Sequence, residues 1–127
     1  MRVLLDTHLM LWWQEDHPSL SAAAKLLVMN ADAVFFSQAS LWEMAIKVSL
    51  GKLRVDLLRF SAEIEAQGFQ WLPIRNEHLL TVATLPVFED HRDPFDRLLV
   101  AQSLTEPLVL LTADGKLERY GAMVRRV

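Results

Sequence analysis

Arg2-Val-Leu-Leu-Asp6, at the start of the chain, is an apolar run that ends in an acid. The same pattern returns near the other end, in Leu108-Val-Leu-Leu-Thr-Ala-Asp114. Between them, Ala33-Val-Phe-Phe-Ser37 is another short run with almost no polar interruption. Such runs are typical of strands in a parallel sheet that helices cover on both faces, because neither side of the strand then meets water.

The segments between these runs predict an alternating order of strands and helices. Helices are expected at Leu9 to Gln14, from a cap at Ser19 or Ser21 to about Asn30, at Ser40 to Leu50, over 56–67, from a cap at Asn76 to about Leu85, and from Pro94 to just before Pro107. Further strands are expected at 69–74, on the sheet edge because of Pro73, and, shorter, at 123–127. This order predicts a single α/β domain over residues 1–127.

Composition excludes several classes of protein. With 127 residues and 52% hydrophobic residues, the chain can form a real core and is not disordered. It has no cysteine, so it has neither disulfides nor a thiolate zinc site. The formal charge of −3 does not indicate a nucleic-acid binder, but bound metal would neutralise part of it. No segment approaches the roughly 20 apolar residues of a membrane span, and a cytoplasmic protein is expected.

Asp6 and Asp114 each follow a predicted buried strand. Open α/β sheets hold their ligands at the carboxyl ends of the strands, so acids there are suited to bind one. Mg²⁺ requires oxygen ligands, and it takes one or two carboxylates directly while keeping several waters. There are simpler alternatives. Asp6 would cap a short helix. Asp114, before Gly115, would belong to a turn or cap a helix that ends near Tyr120.

Glu43 lies in a predicted helix whose residues around it are apolar. Ser40-Leu-Trp-Glu43 satisfies the capping-box pattern, in which the glutamate only closes the helix start. Ser37 is an equally good cap, and a start there moves Glu43 into the second turn. A carboxylate among apolar neighbours requires a cation, which would be a metal, Lys47 one turn later, or both.

Asp93-Pro-Phe-Asp96-Arg97 has the composition of a helix start, with Asp93 as the cap and Pro94 at the first position. Both acids would then serve only the helix dipole. Acids three residues apart also lie on one side of a helix, so one can bind a metal while the other orients it. His91, beside this segment, is expected to be a solvated loop residue rather than a contact to substrate.

Together, these residues resemble the PIN domain, and more closely the VapC-type toxin ribonucleases of bacterial toxin–antitoxin pairs. The matching segments are Leu4-Leu-Asp6-Thr7-His8, Ser40-Leu-Trp-Glu43-Met-Ala-Ile-Lys47, His91-Arg-Asp93-Pro-Phe-Asp96-Arg-Leu-Leu-Val-Ala-Gln102 and Leu111-Thr-Ala-Asp114. They occur in the right order over nearly the whole chain, and the third is the most specific. The resemblance implies a PIN-like three-layer sandwich, with a parallel sheet of about four or five strands flanked by helices.

The resemblance also implies Mg²⁺- or Mn²⁺-dependent cleavage of RNA. The family's metal-binding and catalytic acids map onto Asp6, Glu43, Asp96 and Asp114. The residues expected to support this site or contact substrate are Asp93, Lys47, Arg97 and Thr112, although Lys47 and Arg97 are equally suited to ion pairs with neighbouring acids. Single-stranded or loop RNA fits best as substrate, and an antitoxin protein and a second copy of the chain are the implied partners.

Two other functions fit parts of the pattern. A receiver-like phospho-acceptor domain would also be α/β and bind Mg²⁺. It needs a second acid beside Asp6, where Thr7 and His8 stand, and an acceptor aspartate after a central strand. A catalytically inactive PIN-like interaction module would not need the intact acids. Metal-dependent cleavage of RNA by the purified protein discriminates among these functions.

Two predicted helices have apolar residues on all or nearly all sides, Leu9-Met-Leu-Trp-Trp13 and the helix from Leu41 to Leu50. A surface helix normally has a polar face, and exposed apolar patches tend to mark interfaces. These helices are therefore predicted to line a groove for an apolar segment of an antitoxin or of a second subunit. The alternative is that one domain encloses both of them.

Overall fold

Five short strands pair in one sheet in the computed structural model, which describes residues 1–127. They are β1 (Arg2–Leu5), β2 (Ala33–Ser37), β3 (Gln70–Leu72), β4 (Val109–Thr112) and β5 (Val124–Arg126). Their order is β3-β2-β1-β4-β5, and every neighbouring pair is parallel. Because β1 is central, Asp6 lies at the middle of the carboxyl edge of the sheet.

The connections between the strands are helical. The α-helices are α1 (Thr7–Glu15), α2 (Ala22–Asn30), α3 (Gln38–Ser49), α4 (Leu57–Ala66), α5 (Asn76–Val82) and α6 (Pro94–Thr105). A 3₁₀ helix, Gly115–Tyr120, joins β4 to β5. The predicted alternation and the short strand at 123–127 are thus confirmed. None of the helices combines the length and the apolar composition that a bilayer span requires.

The strands are buried on both faces because their side chains alternate between two apolar layers. Val3 and Leu5 of β1 pack into one layer, and Leu4 packs into the other. The first layer is completed by residues of α1, α2 and α4, and the second by residues of α6 and the 3₁₀ helix. The sheet is therefore the middle of three layers, and the predicted three-layer α/β fold is confirmed.

The start of α3 settles which serine caps it. Ser37 occupies the cap position, and its Oγ accepts a hydrogen bond from the Ala39 N–H at 3.0 Å. The helix therefore begins at Gln38 and not at Ser40. The capping-box interpretation of Ser40 and Glu43 is wrong, and Glu43 lies in the second turn.

Two other helix starts differ from prediction. α1 begins at Thr7 because Asp6 is its cap, rather than at Leu9. In α5, Asn76 is the first helical residue, and Arg75 occupies the cap position. The Arg75 N–H donates to Nδ1 of the buried His78 at 3.0 Å. The predicted asparagine cap is therefore wrong: no side chain of the cap residue accepts a helix N–H, and the contact that closes the start of α5 is the one from the Arg75 N–H to His78.

Candidate metal site

Five carboxylates from separate parts of the chain line one small cleft at the carboxyl edge of the sheet, which we call the acid cleft. Its volume is about 140 Å³. The acids are Asp6 after β1, Glu43 in α3, Asp93 and Asp96 at the start of α6, and Asp114 after β4; Thr7, His8, Lys47 and Leu117 complete the lining. All four acids predicted as ligands therefore come together, and Asp93 joins them.

Asp6 is held by both of its oxygens. Oδ1 accepts the Leu9 N–H at 2.9 Å, and Oδ2 accepts the Thr112 hydroxyl at 2.6 Å. Burial raises the pKa of this carboxyl, while the Thr112 and Leu9 hydrogen bonds oppose that shift. Asp6 is thus both a helix cap and a wall of the cleft, so the two interpretations of this residue are compatible.

Glu43 is nearly buried and is fixed from two sides. The Thr7 hydroxyl donates to Oε1 at 2.9 Å, and the Lys47 ammonium lies 3.2 Å from Oε2. The predicted ion pair with Lys47 is present, as a one-turn pair along α3. The Lys47 side chain is still 40% exposed, so its charge also faces the open part of the cleft.

The segment from Asp93 to Asp96 combines a cap with a partly buried acid. Asp93 Oδ1 accepts the N–H groups of Phe95 and Asp96, at 2.9 and 3.0 Å, so Asp93 caps α6. Asp96 Oδ2 lies 3.1 Å from Nε2 of His91. Burial, and then the neighbouring charge of Asp93, raises the pKa of Asp96 to about 6, although the hydrogen bond from His91 works against this.

Thr112 links two of the acids. Its hydroxyl donates to Asp6 and accepts the Asp114 N–H at 3.0 Å. Asp114 Oδ1 accepts the Lys116 N–H at 2.9 Å, so Asp114 caps the 3₁₀ helix, and its side chain is exposed. Thr112 thus contacts two of the acids, and its supporting role stays a prediction.

His91 and Arg97 lie elsewhere than the sequence suggested. His91 is only 6% exposed, and its ring nitrogens face Tyr120 and Asp96, so the prediction of a solvated loop residue is wrong. Arg97 is outside the cleft lining and donates to the Pro86 carbonyl at 2.8 Å and to the Tyr120 hydroxyl at 3.2 Å. It forms no ion pair with an acid of the cleft. Tyr120 carried no sequence signal, because it lies 29 residues beyond His91.

The donor set of the cleft fits a hard divalent cation. Ligand atoms of His91, Asp96 and Asp114 lie within 4.8 Å of one another, a spacing that one ion can bridge. Oxygen dominates the set, which suits Mg²⁺ or Mn²⁺. Burial, and to a smaller extent the neighbouring acids, raises the pKa values of Asp6 and Asp96, and a bound cation would favour the ionised form of both carboxyls.

Comparison with known proteins identifies the family. A family model described as the PIN domain matches residues 3–123. The chain belongs to the PIN-domain family. This PIN domain is 27% identical to Ribonuclease VapC22 of Mycobacterium tuberculosis, over 93% of the chain and 91% of that protein. The family match, together with the absence of a second acid beside Asp6, removes the receiver-like alternative.

Solved structures share the fold. The DNA-bound VapBC of Salmonella typhimurium matches with a TM-score of 0.68 at 16% identity, covering 99% of this chain and 98% of that one. VapBC2 of Rickettsia felis, bound to a DNA fragment from its promoter, matches at 0.67 and 16%, with the same coverage. A toxin–antitoxin complex from Klebsiella pneumoniae matches at 0.67 and 17%, covering 97% and 95%. At these identities the likeness establishes the three-layer architecture alone.

Proposed function

We propose that this PIN domain is an endoribonuclease that hydrolyses RNA phosphodiesters with Mg²⁺ or Mn²⁺, and that it is the toxin of a toxin–antitoxin pair. The observation that carries the proposal is the convergence of five carboxylates on one cleft at the carboxyl edge of the sheet. The similarity to a protein named a ribonuclease supports the same activity.

In this proposal Asp6, Asp96 and Asp114 bind the metal, directly or through water. When bound, the ion lowers the pKa of an attacking water, polarises the phosphate and stabilises the leaving oxygen. Glu43 is a further ligand or orients that water. Its carboxylate is suited to either role because the Thr7 hydroxyl and the Lys47 ammonium hold its two oxygens in fixed positions.

Lys47 is the proposed phosphate contact. Its ammonium is partly exposed at the cleft and is the only lysine or arginine charge that lines it. Arg97, the other basic candidate, is engaged with carbonyls and with Tyr120 and is not part of the contact to RNA in this proposal. Asp93 supports the site by capping the helix that carries Asp96. RNA whose bases are unpaired can approach such a site closely, so single-stranded or loop RNA remains the proposed substrate.

The proposed antitoxin contact is a second concavity, of about 390 Å³, which we call the side groove. Its lining consists of Leu11, Gln14, Glu15, Arg54, Val55, Asp56, Arg59, Phe60 and Glu63. Three apolar side chains, Leu11, Val55 and Phe60, lie among charges of both signs, which suits a protein segment that carries both apolar and charged side chains. This groove is lined by α1 and α4, whereas the sequence had paired α1 with α3.

The proposed surface for a second subunit is on α3. Trp42 of this helix is 56% exposed, and Leu50, the residue that follows the helix, is 61% exposed. Trp42 packs edge-to-face against Phe95. Large apolar side chains in the open tend to mark interfaces. Leu9 and Met10 of α1 are buried in the core instead, so they are not available to a partner. The proposal keeps the cytoplasm as the location, since RNA and an antitoxin are met there.

The test is cleavage of a mixed-sequence RNA by purified protein with Mg²⁺, with Mn²⁺ and with EDTA. Cleavage is expected with either metal and is expected to stop with EDTA. Asp6→Asn, purified in parallel, should lose it while keeping the fold. Asp56→Asn is the matched control, because Asp56 also caps a helix, α4, but lies outside the acid cleft.

If the chain is instead an inactive interaction module, Asp6→Asn should not lower cleavage. Any cleavage measured would then come from contaminating nuclease and would be equal in the wild type, Asp6→Asn and Asp56→Asn. Full activity of Asp6→Asn in the presence of metal would overturn the proposed assignment of the site.

A further inference from the structure

A chain of three hydrogen bonds, one buried and two partly buried, runs from Arg97 to the acid cleft. The Arg97 guanidinium contacts the Tyr120 hydroxyl at 3.2 Å, the hydroxyl lies 2.8 Å from His91 Nδ1, and His91 Nε2 lies 3.1 Å from Asp96 Oδ2. We propose that Arg97, Tyr120 and His91 form a positioning relay that holds the Asp96 carboxylate in the orientation in which it binds metal. None of the three residues touches substrate.

The Arg97 guanidinium fixes the direction in which the hydrogen bonds of the relay are donated. A guanidinium can only donate, so the Tyr120 oxygen accepts from Arg97 and has its own proton free to give. The nearest acceptor is His91 Nδ1 at 2.8 Å, while the His91 carbonyl is at 3.5 Å. Donation to Nδ1 leaves the ring proton on Nε2. That N–H then donates to Asp96.

The relay is rigid because each member is held by other contacts. His91 and Tyr120 are 6% and 8% exposed, and their rings pack edge-to-face. Phe88 packs on the Tyr120 ring from another side. The Arg97 guanidinium is fixed by the Pro86 carbonyl at 2.8 Å. In low-dielectric surroundings, hydrogen bonds in series polarise one another, so the positive charge of Arg97 strengthens the bond at Asp96.

The relay assigns separate tasks to the two oxygens of Asp96. Oδ2 is occupied by the His91 N–H, and the other oxygen remains for a cation. Hydrogen bonds to ligating carboxylates orient them in this way in metal sites generally. The competing role is that His91 itself binds the metal through Nε2, which the spacing to Asp96 and Asp114 permits. A ligating nitrogen must be unprotonated, so the two roles require opposite tautomers.

The tautomer can be measured on the wild-type protein by ¹⁵N NMR of the histidine rings. In metal-free protein a proton is expected on Nε2 of His91 and none on Nδ1, and the Nε2 proton should persist when Mg²⁺ is added. A proton on Nδ1 would overturn the proposed direction of the relay. Loss of the Nε2 proton on adding Mg²⁺ would make His91 a ligand and would also overturn the proposal. This measurement depends on no variant.

Tyr120→Phe removes the hydroxyl and keeps the ring, so it interrupts the relay with little change in packing. Mn²⁺ binding, followed by electron paramagnetic resonance, is expected to weaken by about tenfold. RNA cleavage should fall at limiting Mn²⁺ and return towards the wild-type kcat at saturating Mn²⁺. Ser103→Ala is the matched control, because it also deletes a buried hydroxyl, this one on α6, the helix that carries Asp96. Its Oγ donates only to the Val100 carbonyl. Equal Mn²⁺ affinities in the two variants would contradict the proposal.

Rescue by an amide separates positioning from packing. His91→Gln retains an N–H that can reach Asp96, whereas His91→Leu fills the space and retains none. The glutamine variant should bind Mn²⁺ more tightly than the leucine variant, and equal affinities would refute the relay. The positioning role presupposes the proposed metal site. A wild-type protein that binds no Mn²⁺ would contradict that site, whereas the tautomer of metal-free His91 tests the relay by itself.

Discussion

The acid cleft and the side groove differ in size and in chemistry, and the smaller of the two has the groups that can catalyse a reaction. The acid cleft is about 140 Å³ and its lining is almost entirely polar. The side groove is about 390 Å³, and both apolar and charged side chains line it. The volume of a concavity therefore limits the size of its occupant but does not indicate where the reactive groups lie. The proposed reactive site lies instead where the carboxyl ends of parallel strands bring acids together.

The two concavities also differ in how their charged groups are held. In the acid cleft Asp6 and Glu43 are each bound at both oxygens by side chains or backbone of the same protein. In the side groove the charged side chains of Arg54 and Arg59 are exposed to solvent. The first arrangement is fixed in advance, which suits an ion that demands a set geometry. In the side groove, the exposed arginine side chains can form ion pairs with a partner protein.

The largest expected effect is loss of cleavage on changing Asp96 to asparagine. The variant removes a proposed ligand charge and should lower metal-dependent RNA cleavage by more than about a hundredfold. Antitoxin binding in the side groove should be unchanged, because Asp96 lies in the other concavity. Cleavage assays and antitoxin titrations on the same preparation measure both. Loss of both RNA cleavage and antitoxin binding in this variant would mean that the acid cleft and the side groove are not independent.

The converse variant is Arg59→Glu in the side groove. Reversing this exposed charge should weaken binding of the cognate antitoxin by about tenfold to a hundredfold, because an antitoxin acid that pairs with Arg59 would then face a like charge. RNA cleavage by the free protein should be unchanged. Lys52→Glu is the matched control, because Lys52 is also an exposed base and lies outside both concavities. Equal antitoxin affinities for the two variants would argue against the groove.

Much of this arrangement could be predicted from the sequence. Apolar runs ending in acids are visible without a structure, and their position in a parallel sheet follows from general rules of topology. Asp6, Glu43, Asp96 and Asp114 were therefore predicted to meet, and they do. The strands of the sheet and the helical connections were predicted to within a few residues.

Contacts between distant segments were not predictable. Ser37 and Ser40 are equally good caps by local rules, and a contact from α6 favours the first. The Ser37 hydroxyl donates to Gln102 Oε1 at 2.6 Å while accepting from the Ala39 N–H. The burial of His91 by Tyr120 is of the same kind. So is the pairing of α1 with α4 in the side groove, because an all-apolar helix does not reveal which side meets the core.

The raised pKa of Asp96 makes the stability of the acid cleft depend on pH. The folded-state pKa of about 6 exceeds the unfolded value near 3.8, so the folded protein binds this proton more tightly. In metal-free protein the free energy of unfolding should therefore rise as the pH falls from 7 to 4.5. The expected gain is on the order of 1–2 kcal/mol relative to Asp96→Asn.

Urea unfolding in EDTA at both pH values measures this difference between wild type and variant. Subtracting the variant's unfolding free energy from that of the wild type removes the contribution of acids outside the cleft. One such acid is Asp90, whose pKa is lowered by its hydrogen bond with Arg119. Mg²⁺ should abolish the dependence, because bound metal favours the ionised carboxylate. A difference between wild type and Asp96→Asn that does not change with pH would show that Asp96 ionises normally in the cleft.

The smallest expected effect concerns Asp93, which lines the acid cleft but is committed to the backbone. Its Oδ1 already accepts two N–H groups at the start of α6. Asp93→Ala should cost about 0.5–2 kcal/mol of unfolding free energy and lower cleavage only moderately, because the helix that carries Asp96 loses its cap. Asp93→Asn retains a capping oxygen and should recover the stability. If Asp93→Ala instead abolished cleavage as completely as Asp96→Asn, with unchanged stability, Asp93 would be a metal ligand and not a cap.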